Sequence, residues 1–183
     1  MTNQKDILYT DIIKIRIMDI EYDGITEDEI RRIYYEETGK ELDVAVDIYY
    51  SEDYIEEVDA NGFNGTIIHL FDEEQGINET YTITRGTEMT QENDWRPIDW
   101  IYNLMGIFVG ENTEQYRAAE YFDQEVTNEI KLKTGGKVRK IGLGHSLGGN
   151  LITLLQIVLG YFDDVYTVNA APPSITDTII GKF

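Results

Sequence analysis

The chain has 183 residues, of which 42% are hydrophobic, so it is long enough to bury the core of one folded domain. Its 35 acidic and 15 basic residues give a net charge of −20, which repels nucleic-acid phosphates and anionic membranes. Cysteine is absent, which excludes disulfides and thiol catalysis. No apolar run reaches the ~18 residues of a membrane span, and the polar start lacks a secretory signal, so we expect a cytoplasmic protein.

The N-terminal part of the chain is predicted to be mostly helical. Apolar residues recur at roughly helical spacing within residues 6–18. Thr26 and Glu29 fit a capping box at the start of a second helix, which Gly39 can end. Residues 42–50 fit both a helix and a strand, and we favour the helix.

The rest of the chain alternates between predicted strands and helices. In chain order these are a hairpin of strands 66–71 and 79–84, a helix at 98–108, a helix capped by Asn112 or Thr113 and ended by Gly135-Gly136, a strand at 137–142, a helix at 147–159 and a strand at 165–169. The strand–helix–strand order from residue 137 predicts a right-handed crossover between parallel strands.

The sequence DANGFNG at residues 59–65 has the composition of a calcium-binding loop but the wrong spacing. Counted from Asp59, the required glycine falls on Asn64 and a ligand position falls on Phe63. We therefore interpret the segment as turns, and no metal or organic cofactor is predicted.

The sequence GHSLG at residues 144–148 fits the pattern Gly-x-Ser-x-Gly between a strand and an apolar helix, which is the context of a nucleophile elbow. In such a turn the backbone of Ser146 is strained, and side chains at Gly144 and Gly148 would collide with the neighbouring strand and helix. The N–H of Leu147 would point towards a developing oxyanion. The alternative is a glycine-rich turn in which the serine only caps the helix.

Four segments in order make residues 64–175 resemble the class 3 lipase family of α/β hydrolases. They are YTITRGTE (81–88), DWRPIDWIYNL (94–104), VRKIGLGHSLGGNLITLL (138–155) and VYTVNAAPPS (165–174). The resemblance implies an α/β-hydrolase-like sheet with flanking helices and an acyl-ester or lipid substrate.

The resemblance also implies roles for individual residues. Ser146 would be the nucleophile, and Thr87 and Leu147 would supply the N–H groups of the oxyanion hole. Arg85 would brace the turn that carries Thr87. His145 would pack below the elbow, so we do not interpret it as the base.

The chain departs from this family at its C-terminal end. The family's acid and base follow the Ala-Pro-Pro strand, in the order Ser, Asp, His, and the sequence stops at Phe183 before they have room. We therefore expect a C-terminally truncated α/β core over residues 61–183, preceded by a helical N-terminal extension over residues 1–60.

No other residue of the chain is a convincing base. His69 lies on a predicted strand and is interpreted as a surface or hydrogen-bonded core residue. Asp163 and Asp164 precede a strand, at its wrong end for the site. Asp177 follows the Ala-Pro-Pro strand and could approach the pocket, but a carboxyl with a pKa near ~4 is a poor base for a serine.

Two functions from different classes remain open. The first is a lipase-like or esterase-like serine hydrolase that a longer chain or a second polypeptide completes with its acid and base. The second is a catalytically inactive protein of the same fold, whose acidic surface binds a protein partner, for example as an inhibitor. An exposed strand edge would also permit homo-oligomers. Mimicry of nucleic acid is a third hypothesis, which rests on charge alone.

Overall fold

The computed structural model describes residues 6–21, 24–56, 63–85 and 97–170, with the backbone alone described at 97–114 and 147. In chain order its elements are α1 (Asp11–Ile20), α2 (Glu27–Thr38), β1 (Ala45–Tyr50), a 3₁₀ turn (Ser51–Asp53), β2 (Asn64–Asp72), β3 (Ile77–Arg85), α3 (Pro97–Thr134), β4 (Arg139–His145), α4 (Ser146–Leu159) and β5 (Asp164–Val168). The predicted Ala-Pro-Pro segment, Thr87 and Asp177 lie outside the described residues.

The strands form one mixed sheet in the order β1-β2-β3-β4-β5. The pairs β1–β2 and β2–β3 are antiparallel, which confirms the predicted hairpin. The pairs β3–β4 and β4–β5 are parallel, as expected from the strand–helix–strand order. The chain therefore has an α/β fold with a mixed sheet.

Helices cover both faces of the sheet. Side chains alternate between the two faces along each strand, so each face carries apolar residues that the helices cover. Ile13 of α1 and Ile30 of α2 pack with Tyr81 and Ile83 of β3 on one face. On the other face, Phe122 of α3 and Ile152 of α4 share a core, which Ile67 of β2 joins. The result is three layers, with the sheet in the middle.

Local signals set several helix ends as the sequence predicts. Thr26 and Glu29 form the capping box at the start of α2, and Gly39 ends that helix with φ +68°. Gly135 adopts φ +66° directly after α3. These positive φ angles favour glycine because it has no Cβ.

Residues 45–50 form a strand, so the favoured helix there is wrong. All six residues of β1 pair with β2, from Ala45 with Phe71 to Tyr50 with Thr66. Val46 and Ile48 alternate onto the core that contains α1 and α2. Pairing with a strand distant in sequence decides the conformation, because local propensity is weak there.

The two helices predicted between residues 98 and 134 are a single helix of 38 residues, α3. Gly110 and Asn112 lie inside it. Both keep a backbone N–H, so the helical hydrogen bonds can continue through them at a modest cost.

No helix among the described residues is both long and apolar enough to cross a membrane. The cytoplasmic location stays a prediction.

A buried cluster of charges ties the N-terminal segment to the sheet. Asp6 pairs with Lys14 Nζ at 3.2 Å and with Arg139 at 2.6 Å. Arg139 also contacts Glu79 at 3.4 Å and Asp164 at 2.5 Å. Lys14 is 2% exposed, so removal of its partner would leave a charge in the interior without compensation.

Asp6→Ala is expected to destabilise the protein by about 3 kcal/mol, because it leaves Lys14 buried without its carboxylate partner. Urea unfolding followed by circular dichroism measures the free energy of unfolding. Glu73→Ala, in the exposed hairpin turn, is the control and should change it by less than about 0.5 kcal/mol. Equal effects of the two variants would contradict this account of the cluster.

Candidate active site

Ser146 stands at the junction of β4 and α4 with a φ angle of +52°. Among the described residues, only Asn169 is another non-glycine residue with a positive φ. This conformation is costly for a residue with a Cβ, and it persists only where the surrounding packing imposes it. The structure thus places the serine on a strained strand-to-helix turn, as the Gly-x-Ser-x-Gly pattern predicts.

The packing around Ser146 requires the two glycines of the motif. A Cβ at Gly144 would lie 2.5 Å from the Cα of Gly149, inside the first turn of α4. A Cβ at Gly148 would lie 1.8 Å from the carbonyl oxygen of Thr84 on β3. The helix therefore sits directly on the strand, with no space for a side chain between them.

A hydrogen bond fixes this docking. The hydroxyl of Thr84 donates to the carbonyl oxygen of Gly148 at 2.7 Å, and this contact is buried. Leu147 is the second residue of α4, and the first four N–H groups of a helix have no partner within it. The first turn of α4 therefore presents N–H groups and the positive end of the helix dipole beside Ser146. The role of Leu147 in an oxyanion hole stays a prediction.

Arg85 and His145 lie side by side as the last residues of β3 and β4, at the edge of the sheet where both strands end. Thr84 pairs with Gly144 across β3 and β4, so Arg85 and His145 are the next residue on each strand. His145 is half-buried and directly precedes Ser146. Thr87, two residues beyond Arg85, lies outside the described residues.

His69 is far from Ser146. It pairs with Thr80 on β3, and Thr80 pairs with Lys140 on β4, six positions before Ser146. At ~3.3 Å per residue this is about 20 Å along the sheet. His69 is 2% exposed, and its Nε2 lies 2.9 Å from Asn78 Oδ1. This confirms the interpretation of His69 as a hydrogen-bonded core residue.

Asp163 and Asp164, at the start of β5, also lie at the opposite edge. Asp163 accepts a hydrogen bond from the N–H of Lys140 at 3.0 Å. Asp164 pairs with Arg139, the first residue of β4. Both carboxylates are thus at the edge where β4 begins, whereas Ser146 follows the end of β4. This placement agrees with the expectation that they cannot serve Ser146.

Partly buried Lys140 lines a separate cleft at that distant edge. Lys140 pairs with Asp123, which accepts a hydrogen bond from the hydroxyl of Thr82 at 3.0 Å. Burial lowers the pKa of Lys140 despite the attraction of Asp123. The cleft, with a volume of about 320 Å³, is lined by Lys140, Lys131 and Tyr161 among others. Lys140 pairs with Asp123, lies opposite Thr80 of β3 and precedes Ser146 by six residues along β4. The cleft is therefore separate from the Ser146 turn.

Sequence reasoning missed Glu21, which directly follows α1. It is 5% exposed, and its Oε2 has no hydrogen-bond partner among the described residues. Burial raises the pKa of Glu21 to about 7, while attraction to Arg85 and a hydrogen bond from Thr66 act in the opposite direction. No sequence signal distinguishes this glutamate from the other acidic residues, because its burial results from contacts between distant segments.

Within the described residues, no group of three or more His, Cys, Asp or Glu side chains could hold a metal ion.

The fold and the turn together define the class of the protein. It is a three-layer α/β protein with a strained serine between a parallel strand and a helix that packs on the sheet.

The chain belongs to the family described as "Domain of unknown function (DUF6792)", whose model matches residues 12–179. It is 30% identical over 199 aligned positions to the "Putative uncharacterized protein YvcB" of Bacillus subtilis (strain 168). That alignment covers 93% of this chain and 30% of the relative, so the chain spans less than a third of the relative's length. No solved structure matches the chain.

Gly148→Ala is expected to destabilise the fold by about 3 kcal/mol or more, because its methyl group would overlap the carbonyl of Thr84. Thermal and urea unfolding measure the loss. Gly136→Ala is the matched control: its Cβ would approach Asn78 Nδ2 no closer than 3.5 Å, so it should be tolerated. A stable Gly148→Ala protein would show that α4 does not pack on β3 in this way.

Glu21→Gln is expected to stabilise the protein at pH 8. Folding raises the pKa of Glu21 from 4.5 to about 7, so the folded state holds the proton more tightly than the unfolded state. Stability therefore falls as pH rises through this interval, and a glutamine removes that loss. Melting temperatures at pH 4.5 and pH 8 measure it. Exposed Glu36→Gln is the control, and a lower melting temperature of Glu21→Gln at pH 8 would contradict the assignment.

Proposed function

We propose that Ser146 is the nucleophile of a serine ester hydrolase similar to the class 3 lipases, with acyl or lipid esters as substrates. One observation carries the proposal: a serine with φ +52° joins β4 to α4, and α4 rests against Thr84 without space for a Cβ. Such a turn lifts a serine hydroxyl above the sheet and places helix N–H groups beside it. An ordinary helix cap needs neither the strain nor the close contact.

The chemistry follows from this geometry. Ser146 Oγ attacks the ester carbonyl carbon while a base accepts the hydroxyl proton. The N–H groups of Leu147 and Thr87 stabilise the resulting oxyanion. The protonated base then gives its proton to the departing alcohol, and water later hydrolyses the acyl-enzyme. Hydrolysis thus restores Ser146 and releases the carboxylic acid.

The base in this proposal comes from outside the chain. The chain has two histidines, of which His69 is about 20 Å distant along the sheet and His145 is the residue before the nucleophile. The chain spans 30% of YvcB, so a module of this kind also occurs within a much longer polypeptide. A histidine and an acid from such a longer chain, or from a second polypeptide, would complete the triad.

A second candidate function is an inactive hydrolase-like module that binds a protein partner. The same placement of the two histidines favours it, because Ser146 stays unactivated unless another polypeptide or a longer chain supplies a base. The net charge of −20 suits a basic partner. Self-association through β5, an edge strand of the described sheet, is compatible with either function.

Exposure of the protein to a fluorophosphonate probe is expected to add one adduct, located on Ser146 by intact mass and peptide mapping. The elbow positions the hydroxyl for attack, and the oxyanion donors stabilise the phosphyl adduct as they would an acyl intermediate. The reaction should be slow until a base is supplied, because a triad works as a unit. Addition of the remaining part of a longer family member should accelerate it.

Ser146→Ala is the control and should carry no adduct. Ser174→Ala, in the segment after β5, should react like the wild type. A folded wild-type chain that stays unlabelled, both alone and with the longer member's remaining part, would reject the hydrolase. The interaction module would then be the better account.

A further inference from the structure

The cleft beside Lys140 is built from three elements of the fold. Helix α3 contributes Thr127, Asn128 and Lys131, which lie on one face of the helix because they are three or four positions apart. Lys140 comes from β4, and the remaining residues come from the end of α4 and the turn after it. A volume of about 320 Å³ suits a small molecule.

The lining of this cleft is positive in a strongly acidic protein. The chain has 35 acidic residues, yet no described residue that lines the cleft carries a carboxylate, whereas Lys131 and Lys140 both line it. Asp123 is 1% exposed and pairs with Lys140 from outside the lining. Asp163, at the same edge, lies 3.7 Å from Lys137. The two lining lysines and Asp123 therefore leave one positive charge, which a ligand with a single negative charge would neutralise.

The cleft also contains hydrogen-bond donors with spare capacity. An ammonium group has three N–H donors, and Asp123 is the only hydrogen-bond acceptor of Lys140 among the described residues. Lys131 is exposed and forms no ion pair with another described residue. The side chains of Thr127 and Asn128 likewise form no hydrogen bond within the described part of the chain. A carboxylate accepts hydrogen bonds from all of these groups.

The apolar surface of the cleft lies towards α4. Leu159, the last residue of that helix, is 41% exposed, and Tyr161 follows it. The C-terminal end of a helix carries partial negative charge, which disfavours an anion there. Lys140 Nζ lies 4.0 Å from the centre of the Tyr161 ring, so the positive and apolar surfaces adjoin. A ligand with a charged head and an apolar group would match this division.

We propose that this cleft binds a small organic carboxylate, whose charged head contacts Lys131 and Lys140 and whose aromatic or short aliphatic group covers Leu159 and Tyr161. The site is separate from the Ser146 turn and does not depend on hydrolase activity. Asp123 holds the ammonium of Lys140 in place and accepts a hydrogen bond from Thr82 at 3.0 Å. Burial lowers the pKa of Lys140, and a bound carboxylate would act in the opposite direction by stabilising the charged ammonium.

Titration with sodium benzoate, followed by the amide chemical shifts of the protein in two-dimensional NMR, tests the site. We expect saturation with a dissociation constant of about 1 mM, a realistic value for a ligand of this size. The largest shift changes should fall at residues 127–131, 140 and 159–161. Benzamide has nearly the same shape without the charge and should bind at least about tenfold more weakly. Inorganic phosphate, which lacks the apolar group, should also bind more weakly than benzoate.

Three results of this titration would overturn the inference. One is the absence of saturable benzoate binding to the folded protein. Another is binding of benzamide or phosphate at least as tight as that of benzoate. The third is a set of shift changes confined to residues 144–150, because benzoate would then bind at the Ser146 turn instead of the cleft.

Lys131→Gln is expected to weaken benzoate binding about fivefold, because it removes one charged donor from an exposed position. Lys137→Gln is the matched control: it makes the same change at the same edge of the sheet but outside the cleft, and it should bind benzoate as the wild type does. Unchanged affinity of Lys131→Gln would contradict the inference. Equal weakening in the two variants would also contradict it, because a general effect of net charge would then explain the binding.

The combination of Asp123→Asn with Lys140→Met removes the second lysine without leaving a buried charge unpaired. We expect this double variant to fold, as its melting curve would show, and to lose saturable benzoate binding. Wild-type affinity in the folded double variant would overturn the role of Lys140. If the double variant does not fold, the comparison of Lys131→Gln with Lys137→Gln decides the question.

Discussion

The close contact between α4 and β3 is the constraint on which the rest of the structure depends. The carbonyl of Thr84 occupies the place that a side chain at Gly148 would need, and the Thr84 hydroxyl bonds back to Gly148. Because the helix starts so close to the sheet, the chain must turn sharply between β4 and α4. Ser146 absorbs that turn with a positive φ angle. The strained serine is thus a consequence of layer packing.

The opposite layer is held by charge as well as by apolar contacts. Asp6, Lys14 and Arg139 join the start of the N-terminal segment to the edge where β3, β4 and β5 begin. From this anchored start, α1 continues to Glu21, beside Thr66 and Arg85. The segment before the sheet therefore contributes to both edges, with ion pairs at one and a buried carboxylate near the candidate site at the other.

The two edges of the sheet differ in backbone strain, because Ser146 and Asn169, the described non-glycine residues with a positive φ, both follow strand ends at the edge where β4 and β5 end. Each edge holds a buried polar atom without a hydrogen-bond partner among the described residues, Glu21 Oε2 at one and His69 Nδ1 at the other. At the edge where β4 begins, Asp163, Asp164 and Lys140 all have partners, as expected of groups that stabilise the fold. At the other edge, Ser146 is strained and Glu21 keeps an unpaired oxygen among the described residues. Proteins usually accept such costs where function requires them. The backbone strain at Ser146 is the physical reason for locating the candidate site there.

The sequence by itself determined the features that depend on neighbouring residues: the capping box of Thr26 and Glu29, the hairpin of β2 and β3, and the glycine-flanked turn at Ser146. Each arises from backbone sterics or hydrogen bonds within a few positions. Only the tertiary structure decided that residues 45–50 form a strand, because their ladder partner is β2, and that His69 lies far from Ser146. It also decided the burial of Glu21, since desolvation is a property of the surrounding elements and not of the residue.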